Sequence, residues 1–268
     1  MNSPVGVIGS GRLATALVPY LRSKGITVSG IWGRNAVEVG RIATGNAIPQ
    51  TSDLGALVGR SKIIVFAISD DALEQMAGRL AGFPIAGRVV IHASGCLGLD
   101  VLEPVARVGG ITAGIHPLMT IVSQPDVPNP LEHAPCGVAC RDRLWKRILF
   151  AWLERAGHPT FALAEGPRPL YHAAAVLACA GISQVFDTAA AVMAAGLGMT
   201  VADMRRLLMP MARRTLELRG TADPVSCTGP WMRDDAGTVA MHLEALRKRG
   251  RETVALYETL RALAKGHT

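Results

Sequence analysis

Two histidines and an arginine carry the side chains of this 268-residue chain best suited to acid–base chemistry and to holding an anion. His116 ends the apolar run 111–115 and precedes Pro117, which keeps its backbone extended, and its ring titrates near neutrality. His172 opens a long Ala-rich segment, with Val176, Cys179 and Ser183 following on one stripe. Arg233 stands two residues before Asp235, an expected helix cap, and is free to pair with a substrate carboxylate. Either histidine could protonate an oxygen or nitrogen while Arg233 anchors a small anion. Each also has a plainer reading, as a histidine satisfied by a neighbour or as a solvated cation.

A second constellation concerns phosphate. Val5-Gly-Val-Ile8 is a short apolar run that breaks into Gly9-x-Gly11-x-x-Ala14, after which Leu13, Leu17, Tyr20 and Leu21 recur at helical spacing. Gly9 permits a tight strand-to-helix turn, Gly11 lets backbone approach a pyrophosphate, and Ala14 is small enough for helix to pack on strand. The pyrophosphate would sit on the free N–H groups of Ser10, Gly11, Arg12 and Leu13. The next strand, 27–32, ends in Gly33-Arg34-Asn35, about 20 residues past the glycines, where an NAD-binding chain places a carboxylate for the ribose hydroxyls. Here Arg34 occupies that region and can grip the extra phosphate of NADP, so NADPH is the expected cofactor. Ile68, Ser69 and Ser94, just past later strands, are expected to line the same cleft, whereas Asp70 reads as a helix cap.

The elements that must position these residues alternate through the first 164 residues. Strand-like runs at 62–68, 88–92, 111–115, 137–140 and 159–163 are separated by helical segments, among them 99–108 and 142–156. That alternation predicts an α/β domain with a doubly wound, largely parallel sheet. Beyond the Pro- and Gly-rich joint at 164–169 strand signals stop, so residues 165–268 are expected to form an all-α domain. Within it, 171–197 is apolar nearly all round, as for a helix buried among others, while 202–219 and 237–263 read as amphipathic helices.

Composition narrows the function classes. Net charge is +7, but the cations are scattered and aromatics make up only 4% of the chain, too few for a base-stacking platform. The charge suits attraction of NADP and an anionic small molecule rather than nucleic acid. The five cysteines form no zinc-spaced cluster, so no metal is expected, and Cys136 and Cys140 read as core residues. The first strand follows Met1 almost at once and the apolar stretch 173–182 is too short to cross a bilayer, so a cytoplasmic protein without membrane contact is expected.

Five blocks carry a resemblance: the Gly9 to Ala14 turn, His92-x-Ser94-Gly95, His116-Pro117-Leu118, Leu170-Tyr171-His172-Ala173-Ala174-Ala175-Val176, and Gly229-Pro230-x-x-Arg233-x-Asp235-x-x-Thr238-Val239-x-x-His242-Leu243. With these the chain resembles bacterial Rossmann-like oxidoreductases that carry a helical C-terminal half. They belong to the 6-phosphogluconate dehydrogenase-like superfamily, near pyrroline-5-carboxylate reductase and ketopantoate reductase. The resemblance implies an NADP-linked reductase whose C-terminal helices form a homodimer interface and close the substrate cleft. Two departures stand out. Ala178-Cys179-Ala180 replaces an Ala-Ser-Asn step and loses an amide, and Arg233-Asp234-Asp235 replaces Arg-Gly-Asp. Three functions are compatible with these residues. The first is NADPH-dependent reduction of a small 2-oxo acid, with His116 or His172 as proton donor and Arg233 as anchor. The second is reduction of a cyclic imine of the pyrroline-carboxylate type. The third, suggested by Ala180, is a sensor or scaffold that binds NADP without turnover.

Overall fold

The computed structural model describes residues 3–122, 127–221 and 228–266. Its first part alternates as expected: β1 (Val5–Ile8), α1 (Arg12–Ser23), β2 (Val28–Trp32), α2 (Ala36–Gly45), α3 (Leu54–Arg60), β3 (Ile63–Phe66), α4 (Leu73–Leu80), β4 (Val89–His92), α5 (Glu103–Arg107), β5 (Ile111–Pro117), β6 (Cys136–Cys140), α6 (Arg143–Arg155) and β7 (Thr160–Ala162). The seven strands lie in the order β2-β1-β3-β4-β5-β6-β7, and every neighbouring pair is parallel except β5 and β6. The strands are rich in Val and Ile, and β1 and β4 are buried throughout, because helices cover both faces. One layer packs α1 and α6 on the sheet through Val18, Leu21, Leu149 and Leu153; the other packs α3 and α4 through Leu57, Leu73 and Leu80.

Caps act where the side chains allow. Asp142 accepts the Trp145 N–H at 2.8 Å and starts α6. Cys136 is buried, and burial pushes its thiol up to about 11, which leaves it an inert core residue as expected. Cys140 is only half-buried, and Cys227 lies outside the described residues.

The helical part comprises α7 (Arg168–Val176), α8 (Ile182–Leu197), α9 (Val201–Arg219), α10 (Ala236–Arg247) and α11 (Arg251–Gly266). The chain divides into two compact units, 1–176 and 177–268, so α7 belongs with the sheet. The division falls beyond the joint at 164–169 because Arg168 and Tyr171 bond to residues of the sheet domain, as set out below.

Two expectations for the helices are corrected. The amphipathic segment 237–263 is not one helix: Gly250, at φ +110°, breaks it between α10 and α11. The Ala-rich segment is helical but not buried. A π-type turn at Leu177–Gly181 joins α7 and α8 into a 30-residue helix, and almost none of its most apolar stretch is covered within the chain. Leu170 is 75% exposed and Leu177 70%. By length and composition this helix could cross a membrane, so the premise that the segment is too short for that does not hold. Within the second unit the buried core is small, with Ala190, Ala194 and Met204 at its centre.

Candidate functional site

The chain reverses its winding at β1, whose neighbours are β2 and β3, and ligands of open parallel sheets bind outside the strand ends at such a reversal. A cleft of about 470 Å³ opens there. Residues 9–13 and 33–35, with Ile68 and Ser69, all line it. Gly9 adopts φ +124°, and a Cβ on it would collide with the carbonyl oxygen of Ala67. A Cβ on Gly11 would meet nothing within 4 Å, so the backbone there faces open space that a ligand can occupy. Helix α1 begins at once, with no side-chain cap bond and no acid in its first turn, which leaves its N–H groups and partial positive charge for an anion.

The cleft is cationic. Arg34 lines it, and Glu38, the nearest acid in sequence, is engaged by Arg41 at 2.9 Å. Asn35 lines the cleft but spends its side-chain oxygen on the Glu38 N–H as the cap of α2. Sequence reasoning missed Gln75 and Arg79 of α4. The guanidinium of Arg79 sits 5.2 Å from the Trp32 ring centroid, in cation–π range. Leu73, Met76, Ala77 and Leu80 bury one face of α4, and Gln75 and Arg79 on the adjoining exposed face line the cleft.

A second group of residues gathers where β4 and β5 end. Ser94 spends its hydroxyl on local structure: it donates to Asp70 at 2.7 Å and accepts the N–H groups of Cys96 and Leu97. Asp70 is therefore not the cap expected from sequence. Ser69 takes the N-cap position of the short turn at Asp70–Ala72, and the Asp70 carboxylate is held by Ser94 instead. His92 is fully buried, with Nδ1 accepting the Ser94 N–H at 3.2 Å and Nε2 without a partner. Burial, then the charges of Arg168 and His116, push His92 down to about 4.

Arg168 is the residue the sequence hid, in a Pro- and Gly-rich stretch that reads as a joint. It is 1% exposed and donates to the Leu97 carbonyl at 2.7 Å. A longer contact of 3.4 Å reaches Glu165, whose other oxygen accepts the Leu99 N–H. These bonds tie the start of α7 to the segment after β4, and so fix the next turn of α7, which carries Tyr171 and His172.

His116 and His172 are brought together, their ring centroids 6.0 Å apart and nearly perpendicular. Tyr171 hydrogen-bonds His116 Nδ1 at 2.7 Å. Gly95 makes the cluster possible, since a Cβ on it would lie 2.8 Å from His116 Nε2 and 2.9 Å from the His172 ring. Burial, His172 and Arg168 push His116 down to about 4, against a smaller upward pull from Asp70. His116 is therefore a neutral ring at physiological pH.

Arg233 lies in the second unit, exposed, in the turn before α10. Asp235 caps that helix as expected, accepting the Thr238 N–H at 3.1 Å, and Asp234 pairs with Lys265. His242 bonds Tyr257 at 2.8 Å. Among the described residues no group of three or more His, Cys, Asp or Glu is placed to hold a metal ion.

Residues 2–117 match the Rossmann-like domain family and residues 134–263 match a domain of unknown function, DUF2520. No curated protein matches the chain. Solved structures share its fold along nearly its whole length. A provisionally named NADP oxidoreductase of Bacteroides fragilis superposes with a TM-score of 0.83 at 20% identity, covering 98% of either chain. The 1-pyrroline-5-carboxylate reductase of Streptococcus pyogenes gives 0.67 at 18%, covering 99% of either chain. An imine reductase of a Pseudomonas species gives 0.69 at 17%, covering 100% of this chain and 95% of its own.

Proposed function

Because the chain joins a Rossmann-like domain to a DUF2520 domain, we propose that it is an NADPH-dependent reductase of a small carboxylate-bearing carbonyl compound. The unit 1–176 would hold the nucleotide, and the helices beyond it would supply a dimer interface. The observation that carries this reading is the cleft at β1, with its bare Gly11 backbone, uncapped helix and three arginines. NADPH bound there supplies a hydride. Gly11 and the first turn of α1 would hold the pyrophosphate, Arg34 would grip the extra phosphate, and Arg12 and Arg79 would add positive charge. His116 and His172, which the fold brings together, would bind and polarise the acceptor.

Arg34→Ala is expected to weaken NADPH by about 1.5–3 kcal/mol, the worth of charge-assisted hydrogen bonds, and to leave NADH nearly unchanged. Fluorescence titration of both nucleotides reads this directly. Equal affinity of the unmodified protein for NADPH and NADH contradicts the assignment.

One observation favours an imine as the acceptor. His116, held at about 4, is no imidazolium acid at neutral pH. A protonated imine brings its own proton and needs no such acid. The fold shared with the Streptococcus pyogenes pyrroline-5-carboxylate reductase and the Pseudomonas imine reductase supports this second reading.

The exposed apolar helix through α7 and α8, together with Leu207, Met209 and Met211 on α9, supports a homodimer joined through the C-terminal helices. Light scattering in detergent-free buffer at micromolar concentration is expected to give twice the 28.2 kDa chain mass. A monomer, or a protein that stays dispersed only in detergent, overturns the dimer.

A further inference from the structure

We propose that His116 works as a neutral hydrogen-bond donor through Nε2–H, and that Tyr171 is the positioning residue that fixes this tautomer. The Tyr171 hydroxyl and His116 Nδ1 are 2.7 Å apart, with the two rings close to perpendicular. Of the two possible donors in that pair, the phenol O–H is the stronger, and an imidazole nitrogen is the better acceptor. Burial raises Tyr171 further, so the proton stays on the phenol. Nδ1 thus holds a lone pair, and the ring's one proton is on Nε2.

The surroundings of Nε2 agree. It faces Gly95, the one residue type that leaves room there. Burial, then His172 and Arg168 on α7, disfavour a second proton on the ring, and Asp70 pulls the other way. His116 and Tyr171 are half-buried at the end of β5 and on α7.

What the N–H would do rests on the reductase reading. As a hydride reaches a carbonyl carbon, the π pair moves onto the oxygen, and a fixed neutral donor stabilises the charge that develops there. The contribution is a hydrogen bond, not a proton transfer, so it does not require a charged histidine; the alkoxide left by hydride addition takes its proton from solvent water. The tautomer itself does not depend on that reading.

The test is nitrogen NMR of protein labelled with ¹⁵N-histidine, with His116 assigned by the signals lost in His116→Asn. At neutral pH the unmodified protein is expected to show His116 with a protonated Nε2 and a bare, hydrogen-bonded Nδ1. Tyr171→Phe keeps the ring and is expected to move Nδ1 to the position of an unbonded nitrogen. With an accepted substrate it should lower kcat by roughly ten- to hundred-fold while leaving NADPH affinity unchanged. A proton on Nδ1, protons on both nitrogens, or an Nδ1 signal indifferent to Tyr171→Phe overturns the proposal. Should Tyr171→Phe fail to fold, the spectrum of the unmodified protein still decides the tautomer. A protein that shows the expected spectrum but reduces nothing contradicts the reductase reading and leaves the tautomer standing.

Discussion

Gly9→Val is expected to abolish NADPH binding and to destabilise the protein by about 3 kcal/mol or more, through steric overlap and an unfavourable positive φ. A side chain on Gly9 points at the Ala67 carbonyl. Neither partner can retreat. Gly9 donates its N–H to Trp32 O at 2.8 Å, and Ala67 donates to Ile8 O at 2.8 Å, so both are fixed to the ends of the sheet. The wedge would part β1 from β3 where the cleft opens. Gly11→Ala is the informative companion, because its Cβ meets no protein atom and its φ of −80° suits alanine. It should leave stability within about 0.5 kcal/mol and still weaken NADPH at least tenfold by filling the pyrophosphate's space. Urea unfolding and nucleotide titration of both variants separate fold from binding. A Gly11→Ala protein that binds NADPH with undiminished affinity removes the pyrophosphate from this turn.

Stability is expected to fall by about 3 kcal/mol as the pH drops from about 7 to 4, chiefly through His92. The folded protein holds His92 at about 4, below its ordinary 6.5, because the ring is buried beside Arg168 and His116. A base whose pKa is depressed by folding binds its proton more readily when unfolded. Its contribution is therefore complete above 6.5, shrinks between 6.5 and 4, and is gone below 4. The gap of 2.5, at 1.36 kcal/mol for each pH unit, sets the magnitude. His116 moves in the same direction, with a smaller effect because solvent reaches it. Urea unfolding across this range, compared with His92→Asn, measures the histidine's share. A variant with the same pH dependence as the unmodified protein would show that the loss comes from other groups.

What the sequence made legible follows from how local the determinants are. The Gly9 to Ala14 turn, Arg34 beside the cleft and the cap at Asp235 are each set by residues within one turn of chain, and each lies where the pattern put it. Residues that act across the fold were hidden. Arg168 looks like loop punctuation between two prolines, and only the close approach of the segment at Leu97 makes it a buried tie. Asp70 has the position of a cap in sequence, but Ser94, 24 residues away, takes its carboxylate. Arg79 joined the cleft because α4 packs beside the end of β1, which periodicity within α4 cannot reveal. The Ala-rich helix misled for a different reason. An apolar surface all round signals burial, and the pattern does not say what supplies the cover.

The central claim is that this cleft binds NADPH for turnover. It is tested most directly by following NADPH oxidation by the purified protein against a panel of small 2-oxo acids and cyclic imines, with NADPH affinity measured on the same sample. Consumption of NADPH with at least one 2-oxo acid, and a raised NADPH requirement in Arg34→Ala, is the expected result. Oxidation with cyclic imines alone would transfer the assignment to the second reading. NADPH bound tightly but left unoxidised by every member of the panel would contradict the reductase account and leave a protein that only binds the nucleotide.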